Sequence, residues 1–239
     1  MRTSDDYYNR WEVASFARIL RYVASFFAMT LPGLYLAVTN FHTQILPTSL
    51  MLSFAEARAG VPFPAVVEVL IMELSFELLR EAGVRLPGAM GNTIGIVGGL
   101  IIGQAAVEAN LVSSMVVILI SFTALCSFAI PNEEFASAFR LMKYGFLFLG
   151  GYLGIYGIVL GLYLMISHLS GLLSFGVPYL VPFVRKHPVS RVGDGIWRIP
   201  FKKRQYRPVY AKSDQSLRLK HKAQTKAAGK EAENEIRRK

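Results

Sequence analysis

Long apolar runs, broken by single glycines, prolines and carboxylates, fill this chain from about residue 22 to residue 184. The first run, 22–38 (YVASFFAMTLPGLYLAV), is at the short end of what crosses a ~30 Å hydrocarbon core. Pro32 and Gly33 predict a kink in it. The next stretch, TNFHTQILPTSLMLSFAEARAG, is too polar to span. A third segment, VPFPAVVEVLIMELSFELLREAGVRLP, reads as a helix. Pro64 suits its first helical position and Gly83 its end. Glu68, Glu73 and Glu77 interrupt the segment. An acid at the bilayer centre costs roughly 2.5–3.5 kcal/mol on insertion scales, which argues against an ordinary lipid-exposed span. The expectation for 64–80 is a re-entrant or interfacial helix, or a span shielded inside an assembly.

The fourth run, GNTIGIVGGLIIGQAAVEAN, is the most informative. Gly91, Gly95, Gly99 and Gly103 recur at every fourth position, with Gly98 beside them. Soluble helices avoid glycine because it costs backbone entropy. Membrane helices use small residues to let backbones approach and gain packing energy. The run therefore predicts a membrane helix over 92–108 that packs closely on another helix. A tight turn at Glu108-Ala109-Asn110 leads to a further span, 111–130, ended by Pro131. A short amphipathic link, NEEFASAFRLMK, precedes a long span over 145–169 with its own small-residue ladder, Gly150/Gly154 and Gly157/Gly161.

Composition supports an integral membrane protein. Hydrophobic residues make up 53% and charged residues 18%, with a mean hydropathy of +0.38. The formal net charge of +10 is not evenly spread. Residues 185–239 carry 17 Lys/Arg against 5 Asp/Glu, and the rest of the chain is slightly acidic. The organisation expected is a junction over 1–21, a transmembrane domain over 22–184 and a basic, partly disordered tail over 185–239 that docks on lipid headgroups. The fold class expected is all-α: four spans, one re-entrant or shielded helix, and a cytoplasmic tail. Arg2, Arg10, Arg18 and Arg21 before the first span, and Arg185, Lys186, Arg191 and Arg198 after the last, place both ends in the cytoplasm. That requires an even number of crossings. Cys126 is the only cysteine, so no intrachain disulfide forms.

Enzyme signals are poor. His42 is followed by Thr43, so no H-E-x-x-H exists. Gly83 and Gly88 have a P-loop spacing, but Ala89-Met90 stands where Lys-Ser/Thr is needed. No catalytic residue, metal or cofactor is expected, nor a nucleic-acid partner. Two polar arrangements remain. Glu73, Glu77 and Arg80 share a helix face, either as an acidic vestibule for cations or as a set neutralised by Arg80 and Arg85. Opposite the glycines, Val97, Ile101, Gln104 and Glu108 follow one another at i, i+4, i+7 and i+11. They form either a pore lining, with Val97 and Ile101 as the constriction and Gln104 and Glu108 as the polar mouth, or a face that packs on the next helix.

The strings LPGLYLAVTNFHTQILPTSL, VPFPAVVEVLIMELSFELLREAGVRLPGAMGNTIGIVGGLIIGQAAVEANLVS, SFAIP and SFGVPYLVPF closely resemble the membrane domain of the GerA family. These are A-subunits of bacterial spore germinant receptors and the related stage V sporulation protein AF. The resemblance runs from about Asp5 to Pro208. It implies the inner membrane of the endospore and an oligomer, a pentamer by resemblance, forming a nutrient-gated cation channel. It also implies partnership with a transporter-like B-subunit and a lipoprotein C-subunit. Family members carry a soluble domain ahead of the membrane part, so a separately encoded soluble domain is a further expected partner. The alternative is a non-conducting structural or assembly component of the receptor complex.

Overall fold

The computed structural model describes residues 3, 5–85, 89–174 and 177–180. The basic tail expected over 185–239 lies outside them. Among the described residues the chain is almost wholly helical: α1 Trp11–Phe41, α2 Thr48–Arg58, α3 Ala65–Arg85, α4 Ala89–Glu108, α5 Ser114–Phe128 and α6 Glu133–Gly171. Two of these, α1 and α6, are long and apolar enough to cross a membrane. Contacts divide the described residues into two units, Leu20–Ile166 and a second formed by those before residue 20 with those after residue 166.

In the first unit, helix directions follow from side-chain and backbone neighbours. A Cβ on Gly33 of α1 would strike the Phe146 carbonyl of α6, and Phe41 lies against Gly154, so α1 and this part of α6 run parallel. Glu77 meets Arg140 and Glu73 meets Lys143, so α3 runs antiparallel to α6. Glu68 meets the backbone of Ser113 and Arg80 meets Ser127, so α3 and α5 run parallel. Helix α4 returns between them, with Gly99 against Phe76 of α3 and Gly103 against Val117 of α5. Tyr35, Leu36, Val69, Met72, Val116, Ile120 and Leu147 form the shared apolar core, with contributions from α1, α3, α5 and α6.

Three features differ from the sequence expectation. Helix α1 is longer than the apolar run 22–38, beginning at Trp11 and ending at Phe41. The stretch read as a short amphipathic link is instead the start of α6. The expected single span over 145–169 is interrupted: Gly154 has φ 64° and ψ −145°, a non-helical backbone inside α6. A side chain on Gly161 would stand 2.9 Å from the Phe146 ring and 3.0 Å from Leu149 Cδ1. Residues that far apart in a straight helix are separated by about 20 Å. The chain therefore folds back at Gly154 into two packed arms, 133–153 and 155–166. The fold-back needs a backbone region open essentially only to glycine. Small residues keep the arms close, since a Cβ on Gly157 would overlap the Leu149 carbonyl.

In the second unit, a 3-10 turn at Asp5–Tyr7 precedes α1. Arg18 is fully buried there, its Nε donating to Asp6 at 2.9 Å, with its guanidinium 5.7 Å from the Tyr7 ring centre. Arg18 thus meets its counter-charge within the protein. Leu173–Ser174 and Val177–Pro178 form a small antiparallel ladder, with Leu173 opposite Pro178 and Ser174 opposite Val177.

Candidate functional site

Helix α3 carries its charged residues inward. Glu73 is 2% exposed and accepts from the ammonium of Lys143 on α6. One turn on, Glu77 accepts from Arg140 at 3.0 Å. Arg80 is 4.0 Å from Glu77, donates to the Ser127 hydroxyl on α5 and lies 4.9 Å from the Phe128 ring centre. Arg85 pairs with Glu81 at 2.6 Å, with both side chains exposed. The acids are therefore neutralised mainly by Arg140 and Lys143, and Arg85 takes no part with Glu73 or Glu77. Sequence reading missed this pairing. Its available signal was arithmetic: Arg140 and Lys143 lie one turn apart, as Glu73 and Glu77 do.

Buried ion pairs contribute little net stability, because desolvation offsets much of their attraction. Removing one partner is different: it leaves a buried charge uncompensated and costs about 3–5 kcal/mol. One oxygen of Glu73, Oε1, is buried with no hydrogen-bond partner, so even the intact pair does not fully satisfy the carboxylate.

Glu68 has a separate task. It is fully buried, accepts from Arg58 Nε at 3.1 Å and accepts from the Ser113 backbone N–H at 3.0 Å. Ser113 is the N-cap residue of α5 but makes no side-chain cap of its own. The Glu68 carboxylate supplies an acceptor and a negative charge at that helix start. It thereby fixes the turn joining α4 to α5. The same turn is closed by bonds from the Asn110 N–H to the Val107 carbonyl at 3.0 Å and from the Leu111 N–H to the Ala106 carbonyl at 2.9 Å. Asn110 takes the left-handed conformation, φ 54°, that this helix ending demands.

Helix α4 has two unlike sides. Gly98, Gly99 and Gly103 face the chain's own α3 and α5: added Cβ atoms would meet Leu79 at 2.9 Å, Phe76 at 3.5 Å and Val117 at 3.2 Å. Gly91 and Gly95 belong to the same helix, and their surroundings lie outside the described residues. Away from the glycines, Ile101 is 58% exposed, and Gln104 and Glu108 are exposed too. The side chain of Val97 lies outside the described residues. Three of the four residues read as a possible lining are thus open, on a helix whose close packing uses its other side. Among the described residues no cluster of His, Cys, Asp and Glu could hold a metal ion.

The relatives of this chain give the arrangement its context. It is 49% identical over 180 residues to the uncharacterized membrane protein YfkQ of Bacillus subtilis, covering 75% of this chain and 35% of that protein. It is 44% identical over 216 residues to spore germination protein KA of the same organism, covering 90% of this chain and 39% of the relative. With spore germination protein A1 the identity is 45% over 202 residues, covering 84% of this chain and 42% of the relative. The chain thus spans less than half the length of these relatives. No solved structure matches it. The family model described as Bacillus/Clostridium GerA spore germination protein matches residues 1–210, and the chain belongs to that family.

Proposed function

We propose that this chain is a membrane subunit of a spore germinant receptor, and that copies of it assemble around the open side of α4 into a nutrient-gated cation channel. The observation that carries this reading is the two-sidedness of α4. Its glycines serve packing inside the chain. Ile101, Gln104 and Glu108 are left exposed. An amide and a carboxylate on an open face of a membrane helix are costly against lipid and favourable against water. Val97 and Ile101 then form a hydrophobic constriction, and Gln104 and Glu108 a polar mouth that favours cations.

Helix directions in Leu20–Ile166 fit this reading. Taken as membrane traverses, α1, α3, α4, α5 and the two arms of α6 make six, so residues 20 and 166 lie at the same membrane face. In this arrangement α3 crosses, shielded by its ion pairs, which is the shielded-span alternative for 64–80 rather than the re-entrant one. The even number agrees with the positive charges that flank the spans. The proposed setting is the inner membrane of the spore. The proposed partners are lipids, further copies of the chain, receptor B- and C-subunits and a soluble domain.

The test is ion flux and dormancy in spores that co-express a soluble-domain partner. Val97→Ala and Ile101→Ala should leak ions without nutrient, since smaller side chains lower a dewetting barrier. Glu108→Gln should chiefly lower cation preference. Loss of protein or of assembly in both alanine variants, with no leak, would favour a non-conducting assembly component.

A further inference from the structure

Helix α3 carries a third carboxylate in the same four-residue spacing. Glu73, Glu77 and Glu81 succeed one another at i, i+4 and i+8, while α6 offers two cations one turn apart, Arg140 and Lys143. The observed register pairs Glu73 with Lys143 and Glu77 with Arg140. Advancing α3 by four residues along α6 moves it about 6 Å with a turn of about 40° about its axis. Glu77 then takes the place of Glu73, opposite Lys143, and Glu81 the place of Glu77, opposite Arg140. We propose that the α3–α6 interface is a ratchet with these two registers, the second being a distinct working state of the subunit.

Four observations support it. Both cations keep a carboxylate partner after the step, so little charge is stranded on α6. Glu81 is exposed and held by Arg85 alone among the ion pairs of its neighbourhood, so it is available to move inward. The Glu73 carboxylate loses its partner in the second register, where it stands in the place Val69 holds in the first; this is what the step costs, and the cost is reduced because Oε1 of Glu73 is already unsatisfied. The remaining contacts between the two halves, α1 with α6 and α3 with α4 and α5, are apolar and have no directional bonds to break: the core of Tyr35, Leu36, Val69, Met72 and Leu147, and the packing of Ala24, Phe27 and Ala28 on Phe122 and Cys126. The halves themselves are tied more firmly. Glu68–Ser113 and Arg80–Ser127 join α3 to α5, and the backbone contact of Gly33 with Gly150 joins α1 to α6. A one-turn step between two packed elements is a known form of bistable transition. Because α4 packs on α3 through Gly98 and Gly99, the step carries the open side of α4 with it. As control of conduction the step rests on the channel reading above, whereas the change of register does not.

The experiment reads register directly, by spin-label distances in the full chain in lipid nanodiscs, in a Cys126→Ala background. Labels replace Leu78 on α3 and Tyr152 on α6, which are 71% and 77% exposed. In the second register these positions approach by several ångström. Glu73→Gln removes a rung of the observed register only and should populate the shorter distance. Adding Glu81→Gln removes a rung of the second register and should restore the longer one. Arg85→Ala leaves both observed rungs intact, frees Glu81 and should raise the shorter population, so it decides the matter if Glu73→Gln does not fold. The exchange E73K/K143E keeps its observed rung but sets two carboxylates against each other in the second register, so it should show the longer distance alone. A single unchanged distance in folded Arg85→Ala, or a shorter distance that persists in E73K/K143E, overturns the ratchet. Neither result depends on whether the protein conducts.

Discussion

The carbonyl of Gly33 occupies the space that a Cβ on Gly150 would need. Backbone meets backbone at this point between α1 and α6, and neither side has a side chain that can swing away. Overpacking of a fitted interface costs about 1–3 kcal/mol where neighbours can adjust, and a backbone contact adjusts least. Gly150→Ala and Gly33→Ala should therefore lower the thermal stability of the detergent-solubilised protein by at least that range, or prevent its accumulation. Gly145→Ala is the control. Nothing lies within 4 Å of its added methyl, and the change should be neutral or stabilising by about 0.5–1 kcal/mol through helix propensity.

Gly154→Ala tests the fold-back. At φ 64° and ψ −145° an L-residue is strained by about 1–3 kcal/mol. The added methyl would also lie 3.1–3.2 Å from His42 and Phe41. The variant should either fail to accumulate or let α6 straighten into a single traverse. Labelling of a cysteine at Ser170 by an impermeant reagent distinguishes these outcomes, because a straightened α6 exposes it on the opposite face. Unchanged stability and unchanged labelling would show that the turn tolerates a side chain.

At Glu68 the pattern of substitutions matters more than any one of them. Glu68→Gln keeps a carbonyl oxygen for the Ser113 N–H but loses the acceptor and counter-charge of Arg58, itself 30% exposed, so it should cost less than Glu68→Ala without being neutral. Glu68→Ala leaves that buried donor unpaired, at a cost of about 1–3 kcal/mol. Thermal unfolding of both variants in detergent checks the order. Because the bond fixes the α4–α5 turn, Glu68→Ala should also speed proteolysis around Asn110.

For α4 the structure separates small from large replacements. A Cβ on Gly99 would sit 3.5–3.7 Å from the Phe76 ring, an ordinary contact, so Gly99→Ala should be tolerated. Gly99→Leu has no room between α4 and α3 and should cost several kcal/mol by forcing them apart. We expect Gly95→Leu to act similarly, by its spacing on the same helix. Crosslinked assemblies and protein level should be lost together in the leucine variants, and survival of both would remove the glycine side from the packing account.

Much of this molecule is legible from local pattern. Helical class, the glycine helix and the turn after Glu108 follow from spacing and from residues whose backbone preferences are strong. The partners of Glu73 and Glu77 do not follow, because nothing near Arg140 and Lys143 indicates which distant face they meet. Their position ahead of an apolar run places them, by sequence, in a short amphipathic link. Gly154 was hidden for another reason. Gly150, Gly154, Gly157 and Gly161 carry one signal, closeness to a neighbour, which fits a helix packed on another helix and a helix folded on itself equally well.

The contact between Gly33 and Gly150 also sets a schedule for biosynthesis. At about 5–20 residues per second, α1 leaves the ribosome several seconds or more before α6 is complete. Through that interval its glycine surface has no protein backbone to meet, and lipid chains or an insertion factor must cover it. The join between α1 and α6 therefore closes late, after α2 to α5 have been made. A nascent chain stalled before residue 150 should hold an α1 still open to crosslinking by membrane neighbours that the finished protein excludes.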